Sequence, residues 1–135
     1  MVIGWREKIS LPDWKISGLV AKVDTGAKSS ALDVLSVEEL SEDRVRFTLA
    51  LSRKGKGRER VIEAPIVRKT RIRSSTGKVQ SRILVATRVE LGSVTKLVEF
   101  SLARRKKMIC RALLGRIALQ GDFLIDPSVT YISQP

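Results

Sequence analysis

Between Leu19 and Ala27 the chain reads Leu-Val-Ala-Lys-Val-Asp-Thr-Gly-Ala, an apolar run that ends in a carboxylate, a hydroxyl and a glycine. This is the pattern of a strand that delivers an acid onto a tight loop. Gly26 lets the backbone turn where a side chain would clash. Thr25 can hydrogen-bond locally or across an interface, so Asp24 is held at the strand end. The same triplet also occurs in ordinary turns, and by itself it does not separate a site from a loop.

The remainder of the chain repeats the strand period. Residues 5–11 read as a strand, Pro12-Asp13 as its turn, and residues 16–23 as the return strand that ends in the acid. In residues 44–52, Val45, Phe47, Leu49 and Leu51 alternate with Arg46, Thr48 and Ala50, the signature of a half-buried strand. Residues 53–60 break the pattern with glycine and charge and read as an exposed connection. Residues 61–67 resume a strand that Pro65 assigns to an edge or a bulge. Residues 82–102 form a long hairpin about Gly92-Ser93. Further strands are expected over 109–114, 123–126 and 129–132, with a short helix over 116–120. Ser36-Val37-Glu38-Glu39 has the spacing of a capping box and predicts a helical turn. Many short strands with one brief helix define an all-β chain. Its 135 residues, 43% of them hydrophobic, suit one domain spanning 1–135.

Composition excludes several chemistries. The chain has no histidine and one cysteine, Cys110, so a Cys-His pair and an internal disulfide are both ruled out. The scattered acids offer no zinc-ligand spacing, and no metal is expected. Gly55-Lys56-Gly57 lacks the spacing of a phosphate loop, and no cofactor is expected. Residues 1–5 carry no basic lead into an apolar run, and no stretch reaches spanning length. The expectation is therefore a cytoplasmic protein without a membrane partner. The 26 basic and 14 acidic residues leave a net charge of +12, which favours acidic partners. Nucleic acid is the weaker of these, since residues 53–73 and 104–107 contain no aromatic side chain for base stacking.

A second element turns the acid loop into a pattern. Ala112-Leu113-Leu114-Gly115-Arg116-Ile117-Ala118-Leu119 is an apolar run broken by glycine and arginine. Together with Asp24-Thr25-Gly26-Ala27 and the glycine-bearing segment Ser74-Ser75-Thr76-Gly77, it resembles the retropepsin-like aspartic peptidases. Leu11-Pro12-Asp13, the run from Asp24 to Ser30-Ala31-Leu32, and Phe123-Leu124-Ile125-Asp126-Pro127 resemble one bacterial branch more closely. That branch is labelled ATP-dependent zinc protease and is associated with ATP-grasp glutamate ligases. Its members often carry histidine where this chain has Asp33.

The resemblance implies a closed β-barrel of the acid protease fold with one short helix near the C-terminus. It implies that Asp24 is the catalytic acid, that the Thr25 hydroxyl bridges two such loops, and that Gly26 lets water and substrate approach. Leu114 and Gly115 would pack behind the loop, and Ser75, Thr76 and Gly77 would belong to a flap. Arg116 matches an arginine that in viral members pairs with an acid just after the loop. That position is Lys28 here, so the pairing must be rewired. Amide hydrolysis by carboxylates needs two of them sharing one proton, and one loop supplies one. The second must come from another copy of the chain, which makes the expected enzyme a homodimer. Ala27 stands where many relatives carry a serine that stabilises the ionised acid, so activity is expected at less acidic pH. The function implied is an aspartic endopeptidase acting on peptides, with acidic or glutamate-rich chains suited to the charge. The alternative is a catalytically silent basic module that binds nucleic acid or acidic proteins.

Overall fold

Alternation of apolar and polar residues sets most of the strands, and the pairings follow from which faces can be buried. The computed structural model describes residues 1–51, 58–73, 77–104 and 110–133. The strands are β1 (Val2–Gly4), β2 (Arg6–Leu11), β3 (Ile16–Val23), β4 (Ser30–Glu39), β5 (Arg44–Ala50) and β6 (Glu59–Pro65). They continue with β7 (Arg68–Arg73), β8 (Val79–Leu91), β9 (Val94–Ala103), β10 (Ala112–Leu114) and β11 (Leu124–Asp126). The one α-helix among the described residues is α1 (Arg116–Leu119), and Pro12–Trp14 forms a 3-10 turn between β2 and β3. In β5 the expected face is fully buried at Val45, Phe47 and Leu49, while Arg44 and Arg46 face solvent.

Six strands close on themselves in the order β10-β3-β2-β8-β9-β4, and β10 completes the ring by pairing with β4 as well as β3. The protein is therefore an all-β closed barrel, and the closure leaves those strands without a free edge. β5 and β6 extend the sheet beyond β4, and β7 pairs with β8 alone. β6 ends that extension, where Pro65 removes no ladder bond that a neighbour would need. The turn between β8 and β9 is Gly92-Ser93, with Gly92 at φ +60°, a backbone conformation in which a side chain would be strained. Phe47, Phe100, Leu19, Leu32 and Leu114 are among the fully buried side chains of the core. Each contributes about 1.5–3 kcal/mol by leaving water.

Two local expectations are corrected. The predicted helical turn over residues 36–39 is the outer half of β4, paired with β5 from Ser36↔Thr48 to Glu39↔Val45. The side chains that would have capped a helix are used across the strands: the Ser36 hydroxyl donates to Thr48 Oγ1 at 3.1 Å, and Glu38 accepts from Arg46 at 3.3 Å. The predicted strand over 129–132 is irregular, with Tyr131 at φ +55°. Its backbone groups serve β2 and its approaches instead. The Val129 carbonyl accepts from Trp5 N–H at 3.0 Å, Tyr131 N–H donates to the Arg6 carbonyl at 2.9 Å, and Ile132 N–H reaches the Glu7 carboxylate at 3.1 Å. Gly4 permits this approach, because a Cβ there would lie 2.2 Å from the Val129 carbonyl oxygen.

Candidate active site

Asp24 follows the last residue of β3, and three backbone interactions fix it. Its own N–H donates to the Leu114 carbonyl at 2.9 Å, continuing the parallel pairing in which Val23 lies opposite Leu114. Its Oδ1 accepts from Gly26 N–H at 2.9 Å, and its carbonyl accepts from Ala27 N–H at 3.2 Å. The carboxylate thus folds back over its own turn, half-buried, while Thr25 and Gly26 are exposed. A side chain at Gly26 would press on Asp24 Oδ1 at 3.2 Å.

The element behind the loop is wired to it by the first amides of α1. Arg116 N–H donates to the Ala27 carbonyl at 2.8 Å and Ile117 N–H to the Lys28 carbonyl at 3.1 Å. These amides have no partner within a helix, so the acid loop supplies the acceptors. Gly115 N–H is buried on the Ser30 hydroxyl at 3.0 Å. Gly115 is required by space, since a Cβ there would meet the Ser29 carbonyl oxygen at 2.4 Å and that of Ala27 at 2.9 Å. The Arg116 guanidinium donates to the Thr25 carbonyl at 3.0 Å, so it touches the loop through the backbone. Asp24, Thr25, Gly26, Ala27, Leu114, Gly115 and Arg116 are therefore brought into one cluster. Gly77 is exposed at φ +84°, next to β8; Ser75 and Thr76 lie outside the described residues.

Asp24 opens onto a cleft of about 330 Å³ whose lining includes Lys28, Ser30, Arg68, Thr70, Arg82, Leu84 and Ser101. Asp24 is the only carboxylate among the described residues of that lining, against three cations, Lys28, Arg68 and Arg82. The pairing of β7 with β8 sets Arg68 opposite Leu84 and Thr70 opposite Arg82, so these four share one face of the hairpin. Arg68 also pairs with Glu99 at 3.2 Å. Sequence reasoning did not single out Arg68, Thr70 and Leu84 as cleft residues. The signal was present as the two-residue period of β7 and β8, once their register is known. Ser30 was read only as part of a motif, and its hydroxyl is the acceptor for Gly115.

Two further acids are placed away from this cleft. Asp33 forms a buried ion pair with Arg111 at 3.0 Å and takes the Arg111 carbonyl for its own N–H at 2.9 Å. Glu7 is fully buried and accepts from the amides of Gly4, Ile132 and Ser133 and from the Ser133 hydroxyl at 2.6 Å. Burial pushes its carboxyl up, but the Ser133 hydroxyl and the three amides outweigh that and hold it below the usual range. Among the described residues no three of His, Cys, Asp or Glu gather where they could hold a metal ion. No helix among them is long and apolar enough to cross a membrane.

A closed barrel with an Asp-Thr-Gly loop backed by a Leu-Gly-Arg element defines the retropepsin-like class of acid-protease folds. The chain belongs to the RimB-like family, described as retropepsin-like aspartic endopeptidase RimB, which it matches over residues 2–135. It is 29% identical over 133 residues to a probable alpha-L-glutamate ligase of Shewanella halifaxensis, covering 96% of this chain. A probable alpha-L-glutamate ligase of Desulfotalea psychrophila is 29% identical over 131 residues, 95% of this chain. The chain spans 29% and 28% of the length of those two relatives. A crystal structure of a Legionella pneumophila protein of unknown function superposes with a TM-score of 0.81 at 28% identity, covering 98% of each chain.

Proposed function

We propose that the chain is an aspartic endopeptidase whose site is assembled from the Asp24 loops of two copies. The observation that carries the reading is the fixed carboxylate of Asp24, held at a strand end by Leu114 and Gly26 and facing a cleft whose other charged lining residues, among those described, are cations. With two Asp24 side chains in contact, like charges cannot both ionise cheaply, so the pair shares one proton. The ionised Asp24 takes a proton from water as the water oxygen bonds to the peptide carbonyl carbon. The protonated Asp24 gives its proton to the carbonyl oxygen. Collapse of the resulting diol returns a hydroxyl proton to the ionised Asp24, the Asp24 that took its proton from water gives it to the amide nitrogen, and the C–N bond breaks, leaving the dyad again with one shared proton.

Exposed Thr25 and Gly26 are the parts of the loop available to the second copy. The substrate class that fits the three cations and the net charge of +12 is an acidic, glutamate-rich peptide. The names of the relatives, probable glutamate ligases, favour the same class.

The test is Asp24→Asn, which keeps the shape but cannot carry the shared proton. The variant should fold and pair as the parent does, while hydrolysis of a glutamate-rich peptide vanishes. Mixing equal amounts of variant and parent chains leaves about a quarter of the parental rate under random pairing if the site is shared, against about half for independent sites. A rate that falls linearly with the parental fraction refutes the shared dyad.

A further inference from the structure

A second and larger cleft, of about 550 Å³, adjoins the acid cleft. Its lining includes Gln80, Ser81, Arg82 and Arg104, with Val37 and Leu102 as apolar floor. Arg82 lines both clefts, so the two meet at its side chain. On β8 the residues Gln80, Arg82 and Leu84 alternate onto one face, the face that Arg68 and Thr70 share through the register of β7. One row of side chains therefore leads from the acid cleft into the larger one. All the charged groups given by the described lining of the larger cleft are cationic, Arg82 and Arg104.

We infer that the larger cleft is a distal binding site for the same substrate chain, taking acidic residues about four positions beyond those in the acid cleft. Leu84 to Gln80 spans four steps of a strand, roughly 13 Å at about 3.3 Å per residue, which an extended peptide matches residue for residue. Arg104 and Arg82 recognise carboxylates, and Gln80 supplies an amide partner. A long acidic chain gains from both clefts at once, because once one part is bound the other is held at high local concentration. A short one reaches only the first. The inference rests on the reading of the acid cleft as a site for acidic peptides, and it adds a length requirement and a residue, Arg104, outside the catalytic machinery.

The experiment measures binding of fluorescein-labelled triglutamate and decaglutamate to the full chain carrying Asp24→Asn, so that hydrolysis plays no part. Decaglutamine and a single-stranded oligonucleotide of matching charge serve as controls. Decaglutamate should bind more tightly than triglutamate. Arg104→Glu should remove most of that gain, weakening decaglutamate about fivefold or more while leaving triglutamate within twofold of the parent, and Arg104→Lys should retain it. Arg44→Glu makes the same charge change on β5, in neither cleft, and should leave the gain in place. Equal affinity for the two lengths, or equal loss on both in Arg104→Glu, overturns the distal site while leaving the acid cleft reading intact. Failure of every glutamate peptide to bind overturns both. An oligonucleotide that binds as tightly as decaglutamate and suffers the same loss reassigns the cleft to nucleic acid and overturns the peptide proposal.

Discussion

Gly115→Ala is the perturbation whose size can be worked most directly from the geometry. The added methyl would sit 2.4 Å from the Ser29 carbonyl oxygen and 2.9 Å from that of Ala27, both backbone atoms that cannot swing aside. Ordinary carbon–oxygen contact lies near 3.4 Å, so the loop must retreat by about 1 Å. That retreat stretches two bonds that tie the loop to α1, from Arg116 N–H at 2.8 Å and Ile117 N–H at 3.1 Å, and strains the Gly115–Ser30 bond at 3.0 Å. Overpacking costs about 1–3 kcal/mol and each weakened bond up to about 1 kcal/mol, which places the loss at roughly 2–4 kcal/mol. Urea unfolding followed by tryptophan fluorescence reads this directly. Hydrolysis by the proposed dyad should be more sensitive than stability, because misplacing a reacting group by about 1 Å lowers a rate on the order of a hundredfold. The comparison variant is Ser30→Ala, which leaves the buried Gly115 N–H without its acceptor at a cost of about 1–3 kcal/mol but adds no atom. Gly115→Ala with unchanged unfolding midpoint and unchanged hydrolysis would refute the view that the missing side chain exists to let the loop seat.

Two other outcomes follow from the acids and from the composition. Because the folded Glu7 carboxyl lies below its ordinary value of 4.5, its contribution is complete above that pH. It is lost as pH falls through the folded value, since the unfolded chain binds the proton first. Glu7→Gln turns an acceptor that serves four donors into a group that presents N–H to some of them, and should cost about 1.5–3 kcal/mol at neutral pH while flattening the acid limb of the stability profile; an unchanged acid limb counts against the assignment. Chelation with EDTA should leave fold and hydrolysis unchanged, a result checked by activity before and after dialysis, and loss restored by added zinc would overturn it.

Much of the barrel was legible because its strands alternate cleanly. The two-residue period in 44–52 and 82–102, the glycine turn at 92 and the apolar run into Asp24 each correspond to one local physical rule. The misreadings came where a long-range partner outvoted a local signal. Ser36 and Glu38 have capping spacing, but a neighbouring strand offered them Thr48 and Arg46. Residues 129–132 have strand composition, but a buried carboxylate 125 positions away claims the Ile132 amide. The part played by Arg116 was out of reach for a similar reason: its acceptor is a backbone carbonyl, Thr25 O, and a carbonyl leaves no mark in a sequence. The cations of the acid cleft come from the loop after β3 and from β7 and β8, and only the register of the hairpin puts Arg68 and Arg82 on the wall that faces Asp24.

The wiring of the acid loop is one-sided, and that asymmetry bears on why a second copy is invoked. Toward its own chain the loop is fully committed: Asp24 N–H to Leu114, the carbonyls of Thr25, Ala27 and Lys28 to Arg116 and α1. Its position is thus set before any partner arrives, which removes the cost of ordering the Asp24 carboxylate on association. On the other side Thr25 and Gly26 are exposed, although a loop tip that served only to connect two strands would need neither the buried bond behind Gly115 nor the guanidinium of Arg116. A carboxylate held this firmly at a cleft, with its hydroxyl-bearing neighbour turned outward, is suited to meet its equal across a two-fold axis. A strictly monomeric chain that still hydrolysed acidic peptides would break the argument, because one Asp24 cannot act as base and acid in the same step.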